Sequence, residues 1–134
     1  MIDYVAILEA NPDGVLATLD GQNVRTRVFH YLFAEGSKIY FCTDNGKDVY
    51  DQMMKNPNVS FCTYAHRFNP VLSIYGKAVF VDDLALKTRA VDENRIVKQI
   101  YHTPDNPIFK MLYIDVSEVE SYNLGEGSMT YIVS

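Results

Sequence analysis

The segment Thr43-Asp44-Asn45-Gly46-Lys47 lies between an apolar β-type run and the start of an amphipathic stretch. A threonine hydroxyl, a glycine that permits close approach, a lysine charge and the free N–H groups of a helix start are the parts of a phosphate cradle. The carboxylate of Asp44 would have to turn away from an anion. The same residue types also make an ordinary capping turn, so the segment alone leaves both readings open. Arg27 sits on the β-type run that precedes, where its guanidinium could reach the same anion. Arg25 shares its parity and could serve equally, and either could instead extend into solvent.

Other chemistry lacks support. The three histidines, His30, His66 and His102, have no HxH or HxxxH spacing, which argues against a metal site. His30, between Phe29 and Tyr31, reads as a core residue. Cys42 and Cys62 each close an apolar run and show no CxxC spacing, so they read as small strand hydrophobes in a reducing cytoplasm. No nucleophile elbow, dinucleotide fingerprint or Walker loop is present. Twelve Lys and Arg against 17 Asp and Glu give a net charge of −5, which opposes a phosphate-tracking nucleic-acid surface. Any anion must then be held by a few local groups. The first residues lack a cationic leader, and no stretch approaches the eighteen or so apolar residues of a membrane helix.

The elements that must position these residues are cut out by turns. Four of the five prolines follow asparagine, at Asn11-Pro12, Asn56-Pro57, Asn69-Pro70 and Asn106-Pro107. Residues 3–10 predict a short amphipathic helix with Asp3 as N-cap. Asp20-Gly21 predicts a hairpin between strands over 15–19 and 24–33. Alternation along the second strand sets Arg25, Arg27, Phe29, Tyr31 and Phe33 on one face and Val24, Thr26, Val28, His30 and Leu32 on the other. Both faces are half apolar, which suits a barrel wall covered outside by a partner. A strand over 38–43 leads to a helix over 47–55 with Val49, Tyr50, Met53 and Met54 on one face. Strands follow over 58–64 and 71–81, the latter with a bulge or bend at Gly76. Residues 83–101 predict a helix broken near Asp92-Glu93-Asn94, burying Leu84, Leu86, Ala90, Val91, Ile96, Val97 and Ile100. A strand through Phe109, Leu112, Ile114 and Val116 and a last pair around 118–124 and 129–133 complete the chain. With 134 residues and 48% apolar content, this is a single domain, residues 1–134: an antiparallel barrel with added helices.

In this order, Gly14-Val15-Leu16-Ala17-Thr18, Val24-Arg25-Thr26-Arg27-Val28-Phe29, Ile39-Tyr40-Phe41-Cys42-Thr43 with Lys47, Asn56-Pro57-Asn58-Val59 and Gly76-Lys77-Ala78-Val79-Phe80 resemble the pyridoxamine 5′-phosphate oxidase-like, FMN-binding split-barrel family. Ile100-Tyr101-His102 and Pro107-Ile108-Phe109-Lys110-Met111-Leu112-Tyr113 resemble the tail of its small single-domain members. The resemblance implies a mainly β fold with added helices, a six-stranded antiparallel split β-barrel. It also implies a homodimer with one FMN in each of two clefts at the subunit interface. Arg27 and Lys47 would pair with the FMN phosphate and Thr43 would add a hydroxyl or backbone bond. Val28, Phe29 and His30 would lie along the isoalloxazine ring, with Cys42 beside it.

The departures narrow the substrate. Leu32 stands where pyridoxamine-phosphate oxidases resemble one another in having a lysine, and Ser73 where many relatives have an arginine. The chain is also too short for the carboxy-terminal segment that completes their pocket. The expectation is an FMN-dependent oxidoreductase acting on a small molecule other than a vitamin B6 phosphate. The alternatives are a nitroimidazole reductase-like enzyme, or a non-catalytic flavin- or heme-binding module of a stress response.

Overall fold

Asp20 and Gly21 form the expected hairpin, with Gly21 at a φ of +62° that favours glycine. In the computed structural model, which describes residues 1–133, β1 (Asp13–Asp20) pairs antiparallel with β2 (Asn23–His30), Asp20 opposite Asn23 and Asp13 opposite His30. The second strand stops at His30 rather than continuing to residue 33. There the chain changes partner: the Tyr31 N–H donates to Pro12 O at 2.8 Å and the Leu32 N–H to Tyr40 O at 2.9 Å. A separate β3 (Phe33–Glu35) then pairs with β4 (Lys38–Asp44).

Ahead of the hairpin, α1 (Tyr4–Ala10) is capped by Asp3, whose carboxylate accepts from the Ala6 N–H at 3.1 Å. After β4, α2 (Asp48–Lys55) buries Val49 and Met53 but leaves Met54 exposed, against expectation. The strands β5 (Asn58–Tyr64) and β6 (Val71–Val81) fall where the sequence puts them. The register of β6 slips between Tyr75 and Gly76, and a side chain at Gly76 would run into the Asp115 carbonyl. Helices α3 (Leu84–Glu93) and α4 (Arg95–Tyr101) meet at Asn94, whose side chain accepts from the Ile96 and Val97 N–H groups. Ala90, Val91 and Val97 are buried as expected, whereas Leu84, Ile96 and Ile100 are exposed. The final strands also differ from expectation: β7 (Phe109–Asn123) is one unbroken strand, followed by β8 (Gly127–Ile132).

The ladder order is β2-β1-β5-β6-β7-β4-β3, with β8 also on β7, and all its pairings are antiparallel. The fold is therefore mainly β with added helices, but the described residues form eight strands rather than six, and among them no ladder joins the end strands β2 and β3. Relative to the strands read from the residues, the one over 24–33 splits into β2 and β3, while the run through Phe109–Val116 and the one over 118–124 merge into β7. The main core places Leu8 of α1 against Leu16, Phe41, Phe61, Leu72, Ile74 and Leu112, all fully buried. A second cluster sets Ala90, Val91, Val97 and Tyr101 of the helices against Phe33, Tyr40, Phe109 and Met111. This second cluster fixes α4 beside the end of β4, where the phosphate-cradle residues lie.

Candidate functional site

A cavity of about 290 Å³ opens between the end of β2, the end of β4, the start of α2 and the outer face of α4. Val28, Phe29, His30, Cys42, Thr43 and Lys47 all line it, so six of the seven residues expected at a cofactor site meet in one place. Strand geometry brings them there. Val28, Phe29 and His30 end β2, Cys42 and Thr43 end β4, and Lys47 is the N-cap of α2, at φ −90° and ψ 145°. No side chain caps that helix, although Asp48 and Asp51 in its first turn complement the dipole.

Thr43 is 2% exposed, and among the described residues its hydroxyl is the buried side-chain oxygen or nitrogen without a hydrogen-bond partner. Such a group is costly to leave unmet, by about 1–3 kcal/mol. Asp44, the negative charge in the cradle, is turned onto its own loop. It accepts from the Gly46 N–H at 3.0 Å and from the Tyr101 hydroxyl at 3.5 Å, and it stands 4.0 Å from Lys47 Nζ.

The flanking groups are set by burial. Desolvation pushes the Cys42 thiol up to about 12, with the Lys47 charge pulling the other way. The Tyr101 hydroxyl is pushed well above the usual phenol range by burial and then by Cys42 and Asp44. Both therefore stay protonated at neutral pH, and neither is a thiolate or phenolate nucleophile. His30 departs from the core position that its apolar neighbours suggest: it lies on the exposed rim, its Nδ1 2.7 Å from Asp13 Oδ1. Asp13 also lines the cavity. A carboxylate on Nδ1 leaves the other ring nitrogen free to meet a ligand.

Arg27 is not among the residues that line this cavity. Its guanidinium is held by Thr18 Oγ1 at 2.6 Å and Gln52 Oε1 at 2.7 Å. Burial lowers its pKa, which Asp48 opposes. Sequence reasoning missed Thr18 and Gln52, because neither carries a motif. It also took Ile96 and Ile100 as core, whereas both face the cavity and are more than half exposed. A larger hollow of about 530 Å³ lies over the β6–β7 bulge, near Lys77, Asp115 and Ser117. Those groups are solvent-exposed, and none of the expected site residues reaches it.

The fold is mainly β, and its cavity between β2, β4 and α4 carries Lys47 at one side and Asp13 at another. The pyridoxamine 5'-phosphate oxidase family profile matches residues 3–123, and the chain belongs to that family. No curated protein sequence matches it. Among solved structures it is similar to a NimC/NimA family protein of Clostridium acetobutylicum, at 24% identity over 97% of this chain and 90% of that one, with a TM-score of 0.86. A heme binding protein of Mycobacterium smegmatis aligns over 94% of this chain and 55% of its own, at 15% identity and a TM-score of 0.77. A pyridoxamine 5'-phosphate oxidase-related, FMN binding protein of Nostoc punctiforme aligns over 92% and 87%, at 15% identity and a TM-score of 0.65. At these identities the likeness is one of fold. No helix among the described residues is long and apolar enough to cross a membrane.

Proposed function

We propose that the chain binds FMN in the cavity between β2, β4 and α4 and acts as a flavin-dependent oxidoreductase on a small molecule. The observation that carries this reading is the unpartnered, buried hydroxyl of Thr43 in the same cavity as the Lys47 ammonium and the apolar side chains of Val28, Phe29, Ile96 and Ile100. A phosphorylated, flat aromatic ligand meets all three features. Lys47 would pair with its phosphate and Thr43 would donate to it, while Val28, Phe29 and Cys42 would pack on the ring. Bound FMN supplies hydride and electron transfer, so the protein need only bind, orient and exclude water. His30, fixed by Asp13, can hold a proton at the rim where a substrate would enter. The family membership and the FMN binding protein of Nostoc punctiforme support the cofactor.

The same reading favours a homodimer. Small-molecule sites usually enclose roughly 300–1,000 Å³, and this cavity has about 290 Å³. Val28, Ile96 and Ile100 on its walls are 72%, 61% and 56% exposed, so a second copy would both cover them and complete the pocket. Leu32 on the wall offers no charge to a second phosphate, which supports a substrate other than a vitamin B6 phosphate. The two free cysteines fit a reducing compartment such as the cytoplasm.

The test is the absorption spectrum of the purified protein, then titration of the stripped protein with FMN and turnover with NAD(P)H and an electron acceptor. Flavin bands and about one FMN per chain are expected. A colourless protein that takes up no added FMN, or one that carries a heme Soret band instead, would sink the reading.

A further inference from the structure

Asp13 and His30 stand directly opposite each other where β1 and β2 reach the cavity, and their side chains meet, His30 Nδ1 lying 2.7 Å from Asp13 Oδ1. Cross-strand neighbours on one face of a sheet are close enough for such a pair, and the backbone on both sides of this one is tied down. The Asp13 carbonyl accepts from the buried Thr63 hydroxyl at 2.8 Å. The Tyr31 N–H donates to Pro12 O at 2.8 Å, and the Leu32 N–H to Tyr40 O at 2.9 Å. A pair this exposed adds little stability. Its place is at the rim of a cavity that both of its members line.

Among the described residues, the titratable side chains that line the cavity are Asp13 on β1, His30 on β2, Cys42 on β4, Lys47 at the start of α2 and Tyr101 on α4. Asp44 faces them from the end of β4, accepting from Tyr101 and pairing with Lys47. Burial keeps Cys42 and Tyr101 protonated at neutral pH, so neither cycles a proton there. Histidine is the side chain that ordinarily gains and loses a proton between pH 5 and 8. With Asp13 accepting from Nδ1–H, the tautomer and ring orientation are fixed, and Nε2 is the nitrogen that gives and regains the exchangeable proton. The His30 side chain is 41% exposed, so water can restore that proton. The neighbouring lining of Val28, Leu32, Ile96 and Ile100 is apolar, and the cation of the lining, Lys47, is engaged by the cofactor phosphate in the reading above. That leaves a place for an uncharged substrate that needs one proton.

We propose that His30 is the proton donor of this site, that Asp13 is its positioning residue, and that the substrate is an uncharged conjugated carbonyl compound. The inference rests on the FMN reading above. Reduction of such a compound adds hydride to the β-carbon, and the C=C electron pair moves toward the carbonyl oxygen to form an enolate. The hydride, with its two electrons, comes from reduced flavin. The enolate oxygen takes the proton from His30 Nε2, and the neutral imidazole left behind is reprotonated by water.

Two readouts test this. In cofactor-free protein carrying isotope-labelled histidine, nitrogen NMR should show neutral His30, identified by its loss in His30→Gln, with its proton on Nδ1, and Asp13→Asn should abolish that preference. FMN titration of the wild type, His30→Gln and Asp13→Asn then gives the loaded proteins. Each is reduced without oxygen, and its reoxidation by cyclohex-2-enone is compared with reoxidation by ferricyanide, which takes electrons alone. The enone-to-ferricyanide rate ratio should fall about 10²-fold in His30→Gln, the worth of a general acid, and by less in Asp13→Asn. In the wild type the ratio should decline as pH rises through the histidine range, whereas in His30→Gln it should be flat. A neutral His30 with its proton on Nε2, a wild type that does not reduce the enone, or an unchanged ratio in His30→Gln overturns the inference, and FMN uptake in the same samples leaves the flavin reading standing. A wild type that takes up no FMN overturns both.

Discussion

The ring of Phe29 on β2 lies 6.0 Å from the ring of Phe41 on β4, although these two strands share no ladder. Side-chain packing thus links two strands that border the cavity where backbone hydrogen bonds do not. Phe41 is fully buried and also meets Tyr31 at 6.4 Å and Phe61 at 4.9 Å. Phe41→Ala should cost ~3–5 kcal/mol of stability, as truncation of a buried aromatic does. Urea unfolding should show that loss, and a change below about 1 kcal/mol would mean that the β2–β4 contact is dispensable.

The hairpin, the first helix start and the break between α3 and α4 were legible because each rests on a local signal: Asp20-Gly21 for the turn, Asp3 for the cap and Asp92-Glu93-Asn94 for the break. The unbroken β7 was not, because its alternation slips. Tyr75 pairs with Glu118 and Gly76 with Val116, leaving Ser117 as the extra residue opposite the bulge, its hydroxyl donating to Tyr75 O at 3.2 Å. Read along one strand, that slip looks like a turn. At the site, Thr43 and Lys47 were legible as residue types at a strand-to-helix junction. Ile96 and Ile100 were not, since helical spacing marks an apolar face without saying whether the chain itself covers it. Arg27 was placed by parity with Phe29, but parity cannot show that Thr18 and Gln52 close on its guanidinium.

Replacing Thr43 by valine separates folding from binding. The hydroxyl has no partner in the protein, so Thr43→Val removes an unmet polar atom at nearly constant shape. The cofactor-free variant should be as stable as the wild type or more stable, by up to ~1 kcal/mol. Its FMN affinity should nevertheless fall, by about 1 kcal/mol, because one donor is lost. Thermal melting without ligand and FMN titration check the two signs. A destabilised apo variant would show that the hydroxyl has a folding role.

Lys47 should show the opposite division from Phe41. Its side chain is 59% exposed, with Asp44 4.0 Å away as its ion-pair partner, so Lys47→Ala should leave stability within ~0.5 kcal/mol. FMN affinity should drop by ~1.5–3 kcal/mol if the ammonium pairs with the phosphate. Riboflavin affinity should not change. The wild-type FMN affinity should also weaken with rising salt, and that slope should be shallower in the variant. Equal losses for both flavins would place Lys47 away from the phosphate.

Alkaline pH should erode stability through Cys42. Burial raises its thiol from an ordinary value of 9.0 to about 12, so the folded chain keeps a proton that the unfolded chain gives up. The unfolded state therefore binds fewer protons between those two values, and stability must fall as pH rises through that window. Below pH 9 this contribution is fully present. Tyr31 and Tyr101, both pushed upward mainly by burial, act in the same direction at higher pH. In Cys42→Ala the decline just above pH 9 should be shallower than in the wild type when each is followed by urea unfolding across pH 7–11. Thiol labelling offers an independent check, because exposed Cys62 should react with an alkylating reagent in the native protein while Cys42 stays protected until the chain unfolds. Equal labelling of both would show that the cavity wall opens far more often than its packing implies.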